Sequence, residues 1–212
     1  ETGLQRLAGA KGAIEAHLRI GILDEAQPLA GAELGCEVHV AVDQAREDEA
    51  VLQVDQPGAG GRLDEAVVDI DDAAGEKAAA ETGGLFVHAD VTSEADVAAA
   101  FRAAHIAFGS VDVAFNNAGI SPPDDDSILD TGLDAWRRVQ EVNLTSVYLC
   151  CKEAIGYMRA QGKGAIVNTA SFVAVMGSAT SQISYTASKG GVLAMSRELG
   201  VQFAREGIRV NA

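Results

Sequence analysis

From about residue 62 to residue 212, short apolar runs alternate with longer alanine-rich segments whose apolar residues recur at helical spacing. Parallel strands need a helical crossover between them, so this alternation is typical of repeated strand–helix units around a parallel sheet. The predicted strands cover residues 66–70, 85–88, 111–115, 165–169 and 208–210. The predicted helices cover residues 73–82, 94–108, 133–160 and 185–206. The sequence therefore predicts an α/β fold with helices on both faces of a doubly wound parallel sheet.

Two of the predicted helices carry polar residues on a continuous face. In the helix 133–160, Asn143 lies on a stripe of mostly apolar residues that recur at steps of three or four. In the helix 185–206, Tyr185 and Lys189 are one turn apart, which puts the phenol beside the ammonium. A neighbouring cation lowers a phenol pKa of about 10, so the pair can serve as an acid/base group. Taken alone, the pair is more typical of an exposed Tyr packed along a Lys side chain.

Further polar positions follow the ends of two predicted strands. Ser171 follows the strand 165–169, and the small-residue turn 116–119 (Asn-Asn-Ala-Gly) follows the strand 111–115. The carboxyl ends of parallel strands form the edge at which such sheets bind ligands. We therefore expect these positions and the polar residues of the two helices to converge on one rim.

The order and spacing of these residues resemble the short-chain dehydrogenase/reductase family over about residues 66–212. The matching positions are Asp69, Asp90-Val91, Asn116-Asn117-Ala118-Gly119, Asn143, Ser171, the Tyr185-x-x-x-Lys189 pair and Arg209-Val210-Asn211-Ala212. The resemblance implies a Rossmann-like fold. It also implies an NAD(P)-dependent oxidoreductase that transfers hydride between a nicotinamide and a secondary alcohol or ketone.

The resemblance implies a catalytic role for four side chains. Tyr185 would be the general acid/base that exchanges a proton with the substrate oxygen. Lys189 would hold the nicotinamide ribose hydroxyls and lower the Tyr pKa, Ser171 would hydrogen-bond the substrate oxygen, and Asn143 would position a water that links Lys189 to a proton relay. The alternatives are a helix-bending amide at Asn143 and a turn-forming hydroxyl at Ser171.

The resemblance also implies which residues contact the cofactor. Asp69, at the end of a strand, would accept hydrogen bonds from the adenosine ribose and repel a 2′-phosphate, so NAD is favoured over NADP. A solvated acidic loop is the alternative there. The other implied contacts are Asp90 and Val91 with the adenine, the backbone of Asn117, Ala118 and Gly119 with the adenosine ribose, and Tyr185 and Lys189 with the nicotinamide side. Asn116 would tie neighbouring strands together.

The first 61 residues depart from the family pattern. They hold eleven acidic and four basic residues and lack the TGxxxGxG turn on which a pyrophosphate would rest. Their best strand candidate is the alternation of Val38, Val40 and Val42, and the glycines at 58–61 stand too close to the strand 66–70 for a crossover. We therefore predict an atypical acidic segment, 1–61, and a partial Rossmann-fold domain, 62–212. The first strand–helix unit and the last strand would be missing.

We therefore expect the chain to be a fragment whose leading segment comes from a wrong reading frame, a misassigned start or a gene fusion. An apolar edge would then be exposed between the strands 66–70 and 111–115, so we expect poor solubility and NADH binding weaker than about millimolar. Three functions stay open: a working dehydrogenase, an inactive fragment, and a non-catalytic module that senses dinucleotides or supports assembly.

Composition limits the partners and the compartment. The net charge of −15 opposes binding to nucleic acid or to an anionic membrane, and the uncharged stretch 164–188 is too polar to span a bilayer. Three cysteines without a CxxC pair and four scattered histidines predict a reduced, metal-free, cytoplasmic protein.

The apolar residues near Ser171 suggest an apolar carbonyl compound or secondary alcohol as substrate. By family analogy, the helices 133–160 and 185–206 would form a homodimer or homotetramer.

Overall fold

A computed structural model describes residues 37–40 and 64–212 of the chain. The described residues form a six-stranded, wholly parallel sheet with the strand order β3-β2-β1-β4-β5-β6. The strands are β1 (Glu37–Val40), β2 (Glu65–Asp69), β3 (Leu85–His88), β4 (Val113–Asn116), β5 (Gly164–Asn168) and β6 (Ile208–Asn211). The order reverses direction at β1, as in a doubly wound sheet, and this confirms the predicted fold class.

Five α-helices connect the described strands. They are α1 (Asp72–Thr82), α2 (Glu94–Phe108), α3 (Leu133–Gln140), α4 (Ser146–Gln161) and α5 (Ile183–Phe203). Short 3₁₀ turns cover Phe172–Ala174 and Ala204–Glu206. The ends of α2 show why the helices begin and end where they do. Ser93 caps the first turn by accepting a hydrogen bond from Asp96 N, and Gly109 ends the last turn at φ 82°.

The strand β1 corrects one expectation from the sequence. Glu37–Val40 pairs in parallel with both β2 and β4, so the predicted gap between the strands 66–70 and 111–115 is filled and the prediction of exposed edges there is wrong. Four extended residues suffice to fill the gap, because a central parallel strand gains its backbone hydrogen bonds from both neighbours. The expectation of poor solubility loses this premise.

The other expectations for the leading segment stay predictions. The predicted division at residue 61 and the glycines at 58–61 lie outside the described residues, and so does the expected place of a pyrophosphate turn after β1. The sequence has no TGxxxGxG turn, so NADH binding weaker than about millimolar stays a prediction too.

The predicted helix 133–160 is two helices joined by a π-helical turn, Glu141–Thr145. Such turns accommodate an extra residue within a helix and are frequent at functional sites. Asn143 lies in the middle of this turn and is fully buried. The apolar stripe correctly places Asn143 on the inner face, where its side chain bonds Ile120 and Ser188. The stripe does not predict the π-helical turn.

The core lies between the sheet and the helices. Strand residues such as Val68, Ala114 and Ile166 pack in one cluster with Phe101 of α2 and Met158 of α4, and all five are at most 2% exposed. This packing fixes α2 and α4 on the sheet, and the carboxyl ends of β4 and β5 are thereby held at one edge.

Candidate functional site

Lys189 lies at the centre of the candidate site. Its side chain is almost fully buried on α5, and Nζ donates a 2.7 Å hydrogen bond to the backbone oxygen of Thr169, just after β5. Nζ also lies 5.7 Å from the centre of the Tyr185 ring. Burial lowers the pKa of Lys189 from 10.5 to about 8. The predicted side-by-side placement of Tyr185 and Lys189 is therefore present.

Asn143 is joined to the turn that follows β4. Its Oδ1 accepts from Ile120 N at 2.7 Å, and its Nδ2 donates to Ile120 O at 2.9 Å. Gly119 comes directly before Ile120, and a Cβ added to it would lie 3.3 Å from Lys189 Nζ and 3.4 Å from Asn143 Oδ1. The turn, Asn143 and Lys189 therefore meet at one point, as the sequence suggests.

Tyr185 is held through its backbone. Its carbonyl oxygen accepts a 2.7 Å hydrogen bond from Ser188 Oγ, and Ser188 in turn accepts from Asn143 Nδ2 at 3.2 Å. Its backbone N–H donates to the carboxylate of Asp125 at 2.7 Å. The first turn of α5 is thus fixed to the π-helical turn and to the loop after β4.

Ser171 lies two residues beyond the carbonyl that Lys189 contacts. It is half-buried and caps the 3₁₀ turn Phe172–Ala174, because its Oγ accepts from Val173 N at 3.4 Å. The helix α5 packs against this turn. The turn-forming role considered for Ser171 is therefore present, and the hydroxyl proton keeps the ability to donate to another acceptor.

The residues predicted to contact adenosine lie at the carboxyl ends of β2, β3 and β4. Asp69 Oδ1 accepts from Asp71 N at 2.8 Å, and Asp90 Oδ1 accepts from Thr92 N and Thr92 Oγ1 at 2.9 and 2.7 Å. Val91 is buried in the core. The three residues share one sheet edge with the catalytic candidates, and their contact with an adenine or ribose stays a prediction.

The turn after β4 contains the other predicted cofactor positions. Ala118 is buried, and Asn117 Oδ1 accepts from Thr169 Oγ1 at 2.8 Å. Asn116 Nδ2 donates to Asn168 Oδ1 at 2.8 Å and so links the side chains of β4 and β5. The predicted role of Asn116 in tying neighbouring strands together is confirmed.

Sequence reasoning missed several residues that build this site: Thr169, Asp125, Ser188 and Gln140. Thr169 contributes a backbone oxygen, which no side-chain pattern reveals. Gln140 Nε2 bonds both the backbone oxygen and the Oγ of Ser184 at the start of α5. Asp125 is the middle residue of three consecutive aspartates, a pattern more typical of a solvated loop. The spacing of Ser188, three residues after Tyr185, was the one local signal available.

Within residues 64–212, no group of three or more His, Cys, Asp or Glu side chains is arranged to hold a metal ion. No described helix combines the length and the apolar character needed to cross a membrane.

Comparison with known proteins gives consistent matches. A family model described as enoyl-(acyl carrier protein) reductase, one of the short-chain dehydrogenase models, matches residues 59–212. The cis-4-hydroxycyclohexanecarboxylate dehydrogenase of Sinomonas cyclohexanicum is 47% identical over 128 residues, which are 60% of this chain and 51% of the relative. Secoisolariciresinol dehydrogenase of Forsythia intermedia is 37% identical over 149 residues, 69% of this chain and 53% of the relative.

A third relative is named as an inactive dehydrogenase. The inactive 2-(S)-hydroxypropyl-CoM dehydrogenase 2 of Xanthobacter autotrophicus is 40% identical over 148 residues, 69% of this chain and 63% of the relative. Among solved structures, levodione reductase aligns with a TM-score of 0.66 at 34% identity, over 71% of this chain and 60% of that one. The chain thus spans between half and two thirds of the length of these proteins.

Proposed function

Because the chain belongs to the short-chain dehydrogenase/reductase family, we propose that it carries the catalytic part of an NAD-dependent alcohol dehydrogenase or ketoreductase. The reaction would be hydride transfer between a nicotinamide and the carbon of a secondary alcohol or ketone, with Tyr185 exchanging the proton on the substrate oxygen. The single observation that supports this proposal best is the buried ammonium of Lys189 beside the Tyr185 ring.

The chemistry of Lys189 fits a ligand that carries hydroxyl groups. Its ammonium makes one hydrogen bond, to Thr169 O, and two N–H donors are left for an acceptor that residues 64–212 do not supply. A buried cation without a counter-charge is unfavourable, so an evolved site that retains one gains by offering those donors to a ligand. Gly119 has no side chain, which leaves room beside Nζ. The hydroxyls of a nicotinamide ribose fit these donors.

Each of the four catalytic candidates would then have a separate role in the reaction. The bound cofactor supplies the hydride acceptor or donor. Lys189 holds the ribose and stabilises the Tyr185 phenolate, so that Tyr185 can take or give a proton near neutral pH. Ser171 donates its hydroxyl proton to the substrate oxygen. Asn143 fixes the turn at Gly119 and positions a water between Lys189 and solvent.

Asp69 supports the preference for NAD over NADP. Its carboxylate lies at the carboxyl end of β2, and Oδ1 is oriented by the N–H of Asp71. A carboxylate there accepts hydrogen bonds from a ribose and repels a 2′-phosphate. Asp90, Val91 and the backbone of residues 117–119 would complete the adenosine side.

We propose an apolar secondary alcohol or ketone as substrate. Phe172, Val175 and Met176 follow Ser171 and are 68%, 70% and 59% exposed, so an apolar face adjoins the hydroxyl that would meet the substrate oxygen. The name of one relative, cis-4-hydroxycyclohexanecarboxylate dehydrogenase, refers to a cyclic alcohol, so cyclic alcohols and ketones are the first to assay.

A second candidate is a family member without activity that binds dinucleotides or supports assembly. This candidate is supported by the relative named as inactive, because that protein is as similar to this chain as the named enzymes are. The presence of Asn143, Ser171, Tyr185 and Lys189 together argues for the active form.

The proposal also covers the compartment of the protein and its assembly into oligomers. Cys150 and Cys151 are both buried free thiols, which agrees with a reducing compartment such as the cytoplasm. Tyr148 on α4 and Val201 on α5 are 52% and 79% exposed. These exposed apolar groups support a homodimer or homotetramer formed through α4 and α5.

The test is a spectrophotometric assay of nicotinamide oxidation and reduction. The protein is incubated with NADH or NADPH and a series of cyclic ketones, and with NAD or NADP and the matching alcohols. Turnover that depends on Tyr185 supports the dehydrogenase. Cofactor binding without turnover by any of these compounds supports the non-catalytic alternative.

A further inference from the structure

The first turn of α5 is capped by a residue that is distant in sequence. A helix begins with backbone N–H groups that have no partner within the helix, and a side chain at the position before the helix usually accepts from them. In α5 that position is Gln182, whose side chain makes no capping bond. Ser184 N and Tyr185 N donate to Oδ1 and Oδ2 of Asp125 instead, at 2.9 and 2.7 Å.

Asp125 is suited to this place because it is charged and buried. It is 5% exposed, and within residues 64–212 no Lys, Arg or His forms an ion pair with it. Its partners are the two N–H groups and, at 3.4 Å, the Thr131 hydroxyl. A buried carboxylate without a cation is stabilised by the positive end of a helix, and charge-assisted bonds of this kind are the stronger ones.

The cap is part of a closed circuit of hydrogen bonds around Tyr185. The loop that carries Asp125 begins at Ile120, whose N and O are both bonded to Asn143. Asn143 donates to Ser188, and Ser188 donates to the carbonyl of Tyr185. The backbone of Tyr185 is therefore held at its N–H by Asp125 and at its oxygen through Asn143.

We propose that Asp125 is a positioning residue of the reaction site. Its carboxylate fixes the first turn of α5 and thereby sets where the Tyr185 phenol stands relative to Lys189 and Ser171. The inference rests on the proposed function for its kinetic consequence, whereas its structural consequence can be measured without any activity.

The kinetic arm compares two neighbouring aspartates. Asp125→Asn keeps one acceptor oxygen and turns an NH₂ group toward a backbone N–H, so the cap is half lost. We expect kcat to fall by about tenfold to a hundredfold, the usual effect of misplacing a reacting group, with the KM for NADH within about threefold of the parent. Asp124→Asn is the matched control. Asp124 is exposed and paired with Arg138, and the variant should keep kcat within about twofold.

The structural arm uses fluorotyrosine incorporated at all three tyrosines and read by fluorine NMR, with Tyr185→Phe assigning the Tyr185 signal. In Asp125→Asn the Tyr185 signal should shift or split, while those of Tyr148 and Tyr157 stay in place. Asp125→Glu, which keeps both acceptor oxygens, covers the case in which the amide variant does not fold, and it should keep one Tyr185 signal.

The two arms separate the two hypotheses. If the parent protein is inactive, or if Tyr185→Phe leaves turnover unchanged, the proposed function fails and the NMR arm alone decides the role of Asp125. An unchanged Tyr185 signal in Asp125→Asn overturns the positioning role. So does an unchanged kcat in an active protein that depends on Tyr185.

Discussion

Asn143 satisfies both backbone polar groups of Ile120, which are 23 residues away in sequence: its amide accepts from the N–H and donates to the carbonyl. Gln161 makes the same pair of bonds with Val111, at 2.9 Å each, near the start of β4 rather than at its carboxyl end. The molecule therefore contains one amide clamp at the candidate site and a matching clamp at the opposite edge of the sheet.

Removing the first clamp should affect both stability and function. Asn143→Leu leaves two buried backbone groups without partners, so the free energy of unfolding should fall by about 2 to 4 kcal/mol. Turnover should fall as well, because the turn at Gly119 is released. Gln161→Leu is the control and should lower stability while leaving turnover of the remaining folded protein unchanged. Denaturant titration and steady-state assays measure the two effects, and equal losses of turnover in both variants would contradict the distinction.

Tyr185→Phe should abolish most of the activity, because it removes the proposed proton donor and leaves the ring in place. We expect turnover lower by about 10²-fold or more, the typical contribution of positioned acid/base catalysis. Tyr148→Phe, on the exposed face of α4, is the matched control and should behave as the parent. Steady-state kinetics measure the effect, and turnover of Tyr185→Phe within about twofold of the parent would refute the assignment.

Asp69→Ala should weaken the preference for NAD. The loss of a carboxylate removes hydrogen bonds to a 2′-hydroxyl and like-charge repulsion of a 2′-phosphate. The ratio of kcat/KM with NAD to kcat/KM with NADP should therefore decrease toward one. The exposed Asp72 provides a control, since Asp72→Ala removes a nearby charge that pairs with His88. A parent protein that already prefers NADP would show the reading of Asp69 to be wrong.

Gly119→Ala should disturb Lys189. The new methyl group would lie 3.3 Å from Nζ and 3.4 Å from Asn143 Oδ1, closer than ordinary contacts, so the ammonium must move by a few tenths of an ångström. We expect weaker NADH binding, measured by titration calorimetry, with little loss of stability. Gly132→Ala is the matched control, because a Cβ there meets no heavy atom within 4 Å. Equal NADH affinity in the two variants would argue against a close cofactor contact at Gly119.

Lys189 should make the free energy of unfolding depend on pH in the alkaline range. Its pKa is lowered from 10.5 to about 8 in the fold, so the unfolded chain holds the proton more tightly and the protonated fold is penalised. The free energy of unfolding should therefore rise as the pH increases from 8 to 10.5, by an amount on the order of 3 kcal/mol. Lys189→Met should lose this rise, and Lys163→Met, an exposed residue paired with Asp112, should keep it. Denaturant titrations across this range test the difference.

The sequence predicts those features that local periodicity encodes. Strands such as 85–88 and helices such as 94–108 agree with the structure to the residue, because apolar spacing and caps such as Ser93 act within a few residues. The placing of Tyr185 beside Lys189 follows equally from one turn of helix. The fold class and the family resemblance rest on the same local information, repeated along the chain.

The tertiary structure alone decided the remaining features. The strand β1 lies at the centre of the sheet because β2 and β4 pair with it on both sides. The alternation of Val38 and Val40 predicts a strand but not its neighbours. Asp125 caps α5 from 59 residues away, and the π-helical turn places Asn143 against Ile120. Hydrogen bonds between distant residues depend on how the chain closes on itself, and no local pattern contains that information.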